Sequence, residues 1–310
     1  MRVVFLGSGA FAIPSFEALL DGGHEVVALV TQPDREKGRG LALTPPPLKP
    51  VAVARGVTVL QPPRIKAPDV AEELRRLSPE AQVVVAYGQI IPRAVFATPP
   101  LGTINVHASL LPRHRGAAPI QWAIAEGDAV TGVTTMRIDE GLDTGPTLLA
   151  RSTAIGEDET APELERRLAG IGAELLIDTL QGLADGVVQP KPQDHARASL
   201  APMIHKEDGA IDWSSAAPVL ARRVRAFQPW PGTVTALGGR ALKVLRARAD
   251  AGDPAAAPGT LLRVDAEGMV VAAGGGTGLR LLEVQPESRR PMPASAFAAG
   301  ARLQPGARFG

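Results

Sequence analysis

A chain of 310 residues with 45% hydrophobic content and no cysteine has room for two ordinary domains, and the missing cysteines exclude disulfides, thiolate catalysis and cysteine-ligated zinc. No apolar run approaches the ~20 residues of a membrane span. The formal net charge of +1 is unevenly spread: residues 205–310 hold 14 Lys+Arg against 9 Asp+Glu, while residues 1–204 hold 19 against 23. A basic C-terminal third hints at a polyanionic partner, although a surplus of that size is common. The opening MRVVFLGSGAF breaks its apolar run at glycine, which argues against a signal peptide, and a cytoplasmic location is expected.

In chain order, Arg2–Leu6, Glu25–Thr31, Val57–Leu60, Ala81–Ala86 and Thr103–Val106 are rich in Val and Ile, bounded by Gly or Pro, and predict strands. Between them Ser15–Leu20, Pro68–Leu77 and Ile120–Ala125 predict helices. Thr131–Arg137 and Thr147–Ile155 predict two further strands around a loop, Ile138–Pro146, and a long helix is expected from Ala161 to Ala184. Apolar strands alternating with helices imply a Rossmann-like α/β domain, a mostly parallel sheet with helices on both faces. Gln189–Pro202 is extended and punctuated by proline. One helix, Ala216–Ala226, then precedes strand-like runs at Gly232–Leu237, Ala241–Ala247, Gly259–Val264, Gly268–Ala273 and Leu279–Val284, which suggests a small C-terminal β-barrel of OB-like type. The expected division is a catalytic domain over 1–188, a linker over 189–204 and a second domain over 205–310.

Gly7-Ser-Gly9-Ala-Phe-Ala12 fits the relaxed dinucleotide fingerprint after a first strand. A tight turn into a helix is the plainer reading, and Pro33 puts Asp34 in a turn rather than at a strand end. The richer stretch is GTINVHASLLPRHRGAAPIQ, Gly102 to Gln121. Residues two apart on a strand share a face, so Asn105 and His107 point the same way from its carboxyl end. A donor amide beside an imidazole suits a reaction at a carbonyl carbon. The loop Asp139-Glu-Gly-Leu-Asp143-Thr-Gly145 can deliver a carboxylate to orient that imidazole; it lacks the ligand count of a calcium loop.

INVHASLLPRHRGAAPIQ with DEGLDTG resembles the folate-dependent formyltransferase family. VVFLGSGAFA, TQPDREKGRG, VVVAYGQIIP, GAIDWS and VRAFQPWPG extend the resemblance over nearly the whole chain, toward the branch that acts on initiator tRNA. The resemblance implies formyl transfer from 10-formyltetrahydrofolate, as co-substrate, to the α-amine of methionine esterified to initiator tRNA. It implies Asn105, His107 and Asp143 as catalytic residues. It implies folate contacts from Ser109, Leu110, Leu111 and Pro112, from Tyr87, Gly88, Gln89, Ile90 and Ile91, and from Asp139 and Gly141. It further implies tRNA contacts from Arg35, Lys37 and Arg39 in the Asp34–Thr44 loop, and from Arg222, Arg223, Arg225, Arg246 and Arg248 in the basic domain. No metal, no membrane association and no obligate protein partner is expected, and the chain is expected to act as a monomer. A formyltransferase for a small amine, or a formyltetrahydrofolate hydrolase, would share the three catalytic residues. An NAD-dependent dehydrogenase built on the GSGAFA turn, or a pure RNA-binding module, would not use them.

Overall fold

The computed structural model describes residues 1–37 and 42–310. Its elements begin with β1 (Arg2–Gly7), α1 (Ile13–Asp21), β2 (Glu25–Val30), β3 (Arg35–Lys37), β4 (Ala42–Thr44), α2 (Leu48–Ala54), β5 (Val59–Leu60), α3 (Pro68–Arg76), β6 (Ala81–Val85), α4 (Arg93–Phe96), β7 (Thr103–His107) and α5 (Pro119–Glu126). They continue with β8 (Val130–Arg137), β9 (Thr147–Ala154), α6 (Ala161–Ala184), α7 (Ala217–Ala226), β10 (Thr233–Leu237), β11 (Arg240–Ala251), β12 (Leu261–Asp265), β13 (Gly268–Ala272), β14 (Thr277–Pro286), β15 (Met292–Pro293) and α8 (Ala294–Ala301). The chain forms two compact units: Met1–Gly116 with Val130–Ala154 and Glu165–Ala201, and Ala117–Ala129 with Ile155–Leu164 and Pro202–Gly310. Among the described residues no helix is long and apolar enough to cross a membrane.

The first unit holds a seven-stranded sheet in the order β5-β2-β1-β6-β7-β8-β9. The strands from β5 to β7 run parallel, and β8 and β9 are antiparallel additions. Strands buried on both faces read as unbroken apolar runs, which is the case for β1 and β6. On one face Val4, Leu6, Val30 and Val84 cluster with Val70, Ala71 and Leu74 of α3. On the other, Phe5 meets Phe16 of α1 edge-on, with ring centroids 5.4 Å apart. At the edge β9 alternates half-buried and exposed positions after a single buried residue, Leu148; its Arg151 reaches Glu174 at 2.5 Å and Asp178 at 2.9 Å on α6. The winding reverses between β1 and β6, and the carboxyl ends beside such a reversal are where open α/β sheets bind ligands.

Gly7 of the glycine turn is required by packing. A Cβ there would lie 2.7 Å from the Phe5 ring and 3.0 Å from the Val85 carbonyl oxygen. The turn is filled by protein groups: the Ser8 hydroxyl accepts from Gln32 N at 3.1 Å and from Thr31 Oγ1 at 3.2 Å, and donates to the Tyr87 carbonyl at 3.3 Å. The helix α2, for which the sequence analysis gives no element, follows directly on Pro45-Pro46-Pro47. Pro47 caps the helix, and Pro50 sits in its first turn, where proline needs no donor. Leu48 and Ala52 are fully buried.

In the second unit the strands run in the order β10-β11-β14-β13-β12, all antiparallel, with β15 added on β14. The C-terminal residues Arg308 and Phe309 bridge to Thr260, just before β12, and to Leu237 of β10, so the end of the chain spans the two edges and closes a small barrel. Its core gathers Leu220 and Val224 of α7 with Leu242, Val244, Leu261, Met269, Leu279 and Leu281, and Trp213 and Phe309 pack edge-on at 5.9 Å. The register shifts twice around Arg246, which bends β11 and lets it run to Ala251, beyond the predicted end at Ala247. Arg280 of β14 is 6% exposed and grips Asp250 and Asp265, each at 2.5 Å, while Arg263 adds a 2.9 Å contact to Asp250.

Candidate active site

The site grows from β7. Its Val106 packs beside Gly172 of α6, so the alternate residues Asn105 and His107 face the opposite side. Both meet the carboxylate of Asp143, which the loop after β8 delivers. Asn105 Nδ2 lies 3.5 Å from Asp143 Oδ1, and His107 Nδ1 lies 3.6 Å from Asp143 Oδ2. The side chains are largely shielded, His107 being 6% and Asp143 15% exposed. His107 Nε2 sits 2.9 Å from the carbonyl oxygen of His114. A carbonyl only accepts, so Nε2 carries a hydrogen and the ring cannot swivel without losing that bond. Nδ1 is therefore the nitrogen presented to Asn105 and Asp143. The amide of Gly116 donates to Asp143 Oδ2 at 2.8 Å, fixing the orientation of the carboxylate.

The acidic loop has its own scaffold. Asp139 Oδ1 accepts from the Gly141 amide at 3.1 Å and from Thr144 Oγ1 at 2.7 Å, an Asx-type turn. Asp143 has φ +51°, a left-handed conformation uncommon for a residue with Cβ. Gly145 follows because a Cβ there would fall 1.9 Å from the Arg137 carbonyl oxygen as the loop turns back into β9. Gln193 closes the turn from outside, donating to the carbonyls of Asp143 at 2.9 Å and Gly145 at 2.7 Å.

The candidate folate residues fall into three groups. Ser109 is buried, and its hydroxyl donates to the Arg113 carbonyl at 2.7 Å. Thr134 Oγ1 donates to the Ser109 carbonyl at 2.7 Å and accepts from the Leu111 amide at 3.1 Å. This pins the Ser109–Pro112 turn, with Leu110, Leu111 and Pro112 half-buried. Tyr87 and Ile91 are buried, Gly88 has φ +84°, and Ile90 is 89% exposed. Burial pushes the Tyr87 phenol up to about 12. Gln89 accepts from the Ile65 amide at 3.0 Å and donates to Gln32 Oε1 at 3.3 Å. Asp139 and Gly141 line a shallow pocket of about 410 Å³ with Arg93, Phe96, Ala97, Ile138 and Glu140; the three catalytic candidates lie outside its lining.

The candidate tRNA residues are scattered. Arg35 is exposed and reaches Gln32 Oε1 at 3.2 Å; Lys37 ends β3, and Arg39 lies outside the described residues. At the root of that loop Gln61 and Lys49 bind Asp34 at 2.7 and 2.8 Å and hold its carboxyl below the usual carboxylate range. On α7, Arg222 Nε donates to the Ala125 carbonyl at 3.2 Å, and Arg225 donates to the Glu159 carbonyl at 2.9 Å. These guanidinium groups tie α7 to segments of its own unit. Arg223 is half-buried, Arg246 is exposed, and Arg248 is exposed and paired with Glu267 at 2.7 Å.

Sequence reasoning passed over Thr134 and Gln193. Thr134 had a usable signal, since it lies in register with His107 on β8. Gln193 had none, being 50 residues from the loop it holds.

A strand end that brings a donor amide, a fixed imidazole and a carboxylate together holds the groups that acyl or one-carbon transfer uses. The sequence profile of formyl transferase matches residues 1–180, and that of the formyl transferase C-terminal domain matches 203–302. A methionyl-tRNA formyltransferase from Solibacter usitatus is 51% identical over 310 residues, covering 100% of this chain and 99% of the relative. One from Citrifermentans bemidjiense is 49% identical over 100% of this chain and 96% of its own. The chain belongs to the methionyl-tRNA formyltransferase family. In fold it is similar to the N-formyltransferase of Helicobacter canadensis, solved with folinic acid and dTDP-3-aminofucose (TM-score 0.68, 17% identity, 92% of this chain and 98% of that one). It is also similar to HypX of Aquifex aeolicus in complex with tetrahydrofolic acid (TM-score 0.64, 18% identity, 96% of this chain and 47% of that one).

Proposed function

We propose that the chain transfers a formyl group from 10-formyltetrahydrofolate to the α-amino group of methionyl-initiator tRNA, giving N-formylmethionyl-tRNA for translation initiation. The observation that carries the reading is the meeting of Asn105, His107 and Asp143 at the carboxyl end of β7. Likeness to methionyl-tRNA formyltransferases over the full chain supports the choice of acceptor. The amine attacks the formyl carbon, a C–N bond forms, and the carbonyl π pair moves onto oxygen. Asn105 Nδ2–H and the Nδ1–H of a protonated His107 donate to that oxygen. Asp143 stabilises the charged ring and accepts the surplus proton of the attacking nitrogen. The intermediate collapses by re-forming the carbonyl and breaking the bond to folate N10, which takes the proton held by Asp143 and leaves as tetrahydrofolate.

In this reading the pterin lies along Ser109–Pro112, Tyr87–Ile91 and the Asp139–Gly141 turn, where peptide groups edge an apolar surface. The catalytic domain spans 1–188 and the tRNA-binding domain 205–310, joined through 189–204. Arg35, Lys37 and Arg39 meet the acceptor end, and the basic residues of α7 and β11 meet the phosphate backbone. Arg223, Arg246 and Arg248 fit the second role better than Arg222 and Arg225, whose guanidinium groups already bind carbonyls. The enzyme acts in the cytoplasm as a monomer.

Incubation with charged initiator tRNA and 10-formyltetrahydrofolate, scoring N-formylmethionine, tests the reaction. Formate release without formylated tRNA would instead mark a hydrolase, and formylation of a small amine alone would move the substrate assignment. Phosphate contacts make binding depend on salt. Raising salt from about 50 to about 200 mM is expected to raise the apparent KM for tRNA tenfold or more, and Arg246→Ala to reduce the slope by about one. A flat response would remove the phosphate contacts from this account.

A further inference from the structure

We propose that Gln193 is a positioning residue for formyl transfer, holding Asp143 in its working place through the backbone of the acidic loop. The proposal rests on Asp143 being a catalytic group. Gln193 lies in the extended segment after α6 and is 8% exposed. Its amide is fully used. Nε2 donates to the carbonyls of Asp143 at 2.9 Å and Gly145 at 2.7 Å, while Oε1 accepts from Arg115 Nη2 at 2.6 Å and Arg115 Nε at 3.1 Å. Arginine has only donors and a carbonyl only accepts, so the partners fix which amide atom is which. A side chain with two donors and two acceptor sites at this length is glutamine alone.

The two carbonyls flank the turn in which Asp143 adopts φ +51°. A residue with Cβ keeps that conformation when its surroundings over-determine it, and Gln193 supplies two of the constraints. Its other end is anchored as firmly, because Arg115 is itself 6% exposed and its Nη2 also lies 3.2 Å from His195 Nδ1. The same stretch of chain holds the opposite side of the site. Ser199 Oγ accepts from the His114 amide at 2.9 Å, the Ser199 carbonyl accepts from the Arg115 amide at 2.8 Å, and the Ala201 amide donates to the Arg115 carbonyl at 2.7 Å. His114 in turn supplies the carbonyl that fixes the His107 ring. Residues 193–201 therefore brace the carboxylate from one side and the imidazole from the other. Gln193 is the member of this brace whose side chain reaches the loop bearing the acid.

The test is a double-mutant cycle between Gln193 and Asp143, read as kcat and KM on charged initiator tRNA and 10-formyltetrahydrofolate. Gln193→Glu keeps the size of the side chain and its acceptors toward Arg115, but sets a carboxylate oxygen against two carbonyls. Gln193→Ala removes both arms. Each is expected to lower kcat about 10- to 100-fold, the scale on which misplacing a reacting group by about 1 Å acts, with both KM values within about twofold. In an Asp143→Asn background the same changes are expected to cost less than about threefold, because their target is already gone. Thermal melts accompany each variant, and if Gln193→Ala fails to fold the Gln193→Glu arm carries the cycle. Full kcat in Gln193→Glu, or equal losses in both backgrounds, overturns the positioning role while leaving a crippled Asp143→Asn enzyme intact as evidence for the acid. Wild-type kcat in Asp143→Asn sinks the catalytic reading itself, and this proposal with it.

Discussion

Replacing His107 by alanine is expected to lower kcat for formylation of methionyl-initiator tRNA by about 10²–10³-fold, with Asn105→Ala in the same range. The size follows from where charge develops. The attacked formyl oxygen becomes anionic in a site where His107 is 6% exposed and Asp143 15%, and a preorganised donor acts more strongly when water is excluded. The two losses should not multiply, because both side chains address one oxygen and share one carboxylate. Truncation removes Nδ1 from the site and also leaves the His114 carbonyl, 2.9 Å from Nε2, without that donor, so a thermal melt accompanies the assay. Filter-binding of tRNA should stay within about twofold of wild type. A His107→Ala enzyme that keeps more than a tenth of its turnover would dismiss the imidazole from the chemistry.

Replacing Arg280 by methionine is expected to destabilise the barrel by about 3 kcal/mol, the lower end of what stripping one partner from a buried ion pair costs. Arg263 stays within 2.9 Å of Asp250 and keeps the loss from being larger. The pH dependence identifies the cause. Burial works to raise the Asp250 carboxyl, but the Arg280 hydrogen bond and charge overcome it and hold the group below its ordinary value. The same arginine holds Asp265 low. A depressed carboxylate contributes stability that is complete above its unfolded value near ~3.9 and is lost as pH falls through the folded value. The gap in Tm between wild type and Arg280→Met should therefore be widest near neutrality and shrink on acidification below about pH 4. A gap independent of pH would assign the effect to lost packing of the arginine stem.

That Asn105 and His107 stand together was legible because one strand carries both: period two puts them on a shared face wherever β7 lies in the sheet. Asp143 could be named only through the acidic loop and the family resemblance, and its two distances of 3.5 and 3.6 Å are set by tertiary structure. The α/β alternation was equally plain, yet three prolines before Leu48 concealed α2, and the small residues of Ala294–Ala301 gave α8 no apolar stripe to read. The barrel strands were placed within a few residues except where the register shift at Arg246 lengthened β11. Arg222 and Arg225 look like surface cations in sequence, because nothing in a helical pattern announces carbonyls arriving from α5 and from a distant loop. Gln193 is the sharpest case. A glutamine among prolines has no periodicity, and its meaning lies wholly in partners 48 to 78 residues away.

The margins of the seven-stranded sheet bear on how this chain behaves in a crowded cell. An open row of peptide groups invites another molecule to extend the sheet. One margin, β5, offers only two residues, and the other, β9, carries a guanidinium clasped by two acids of α6. Neither margin is the long, uncharged edge that most readily templates pairing with a second copy, a device by which an open sheet guards its ends.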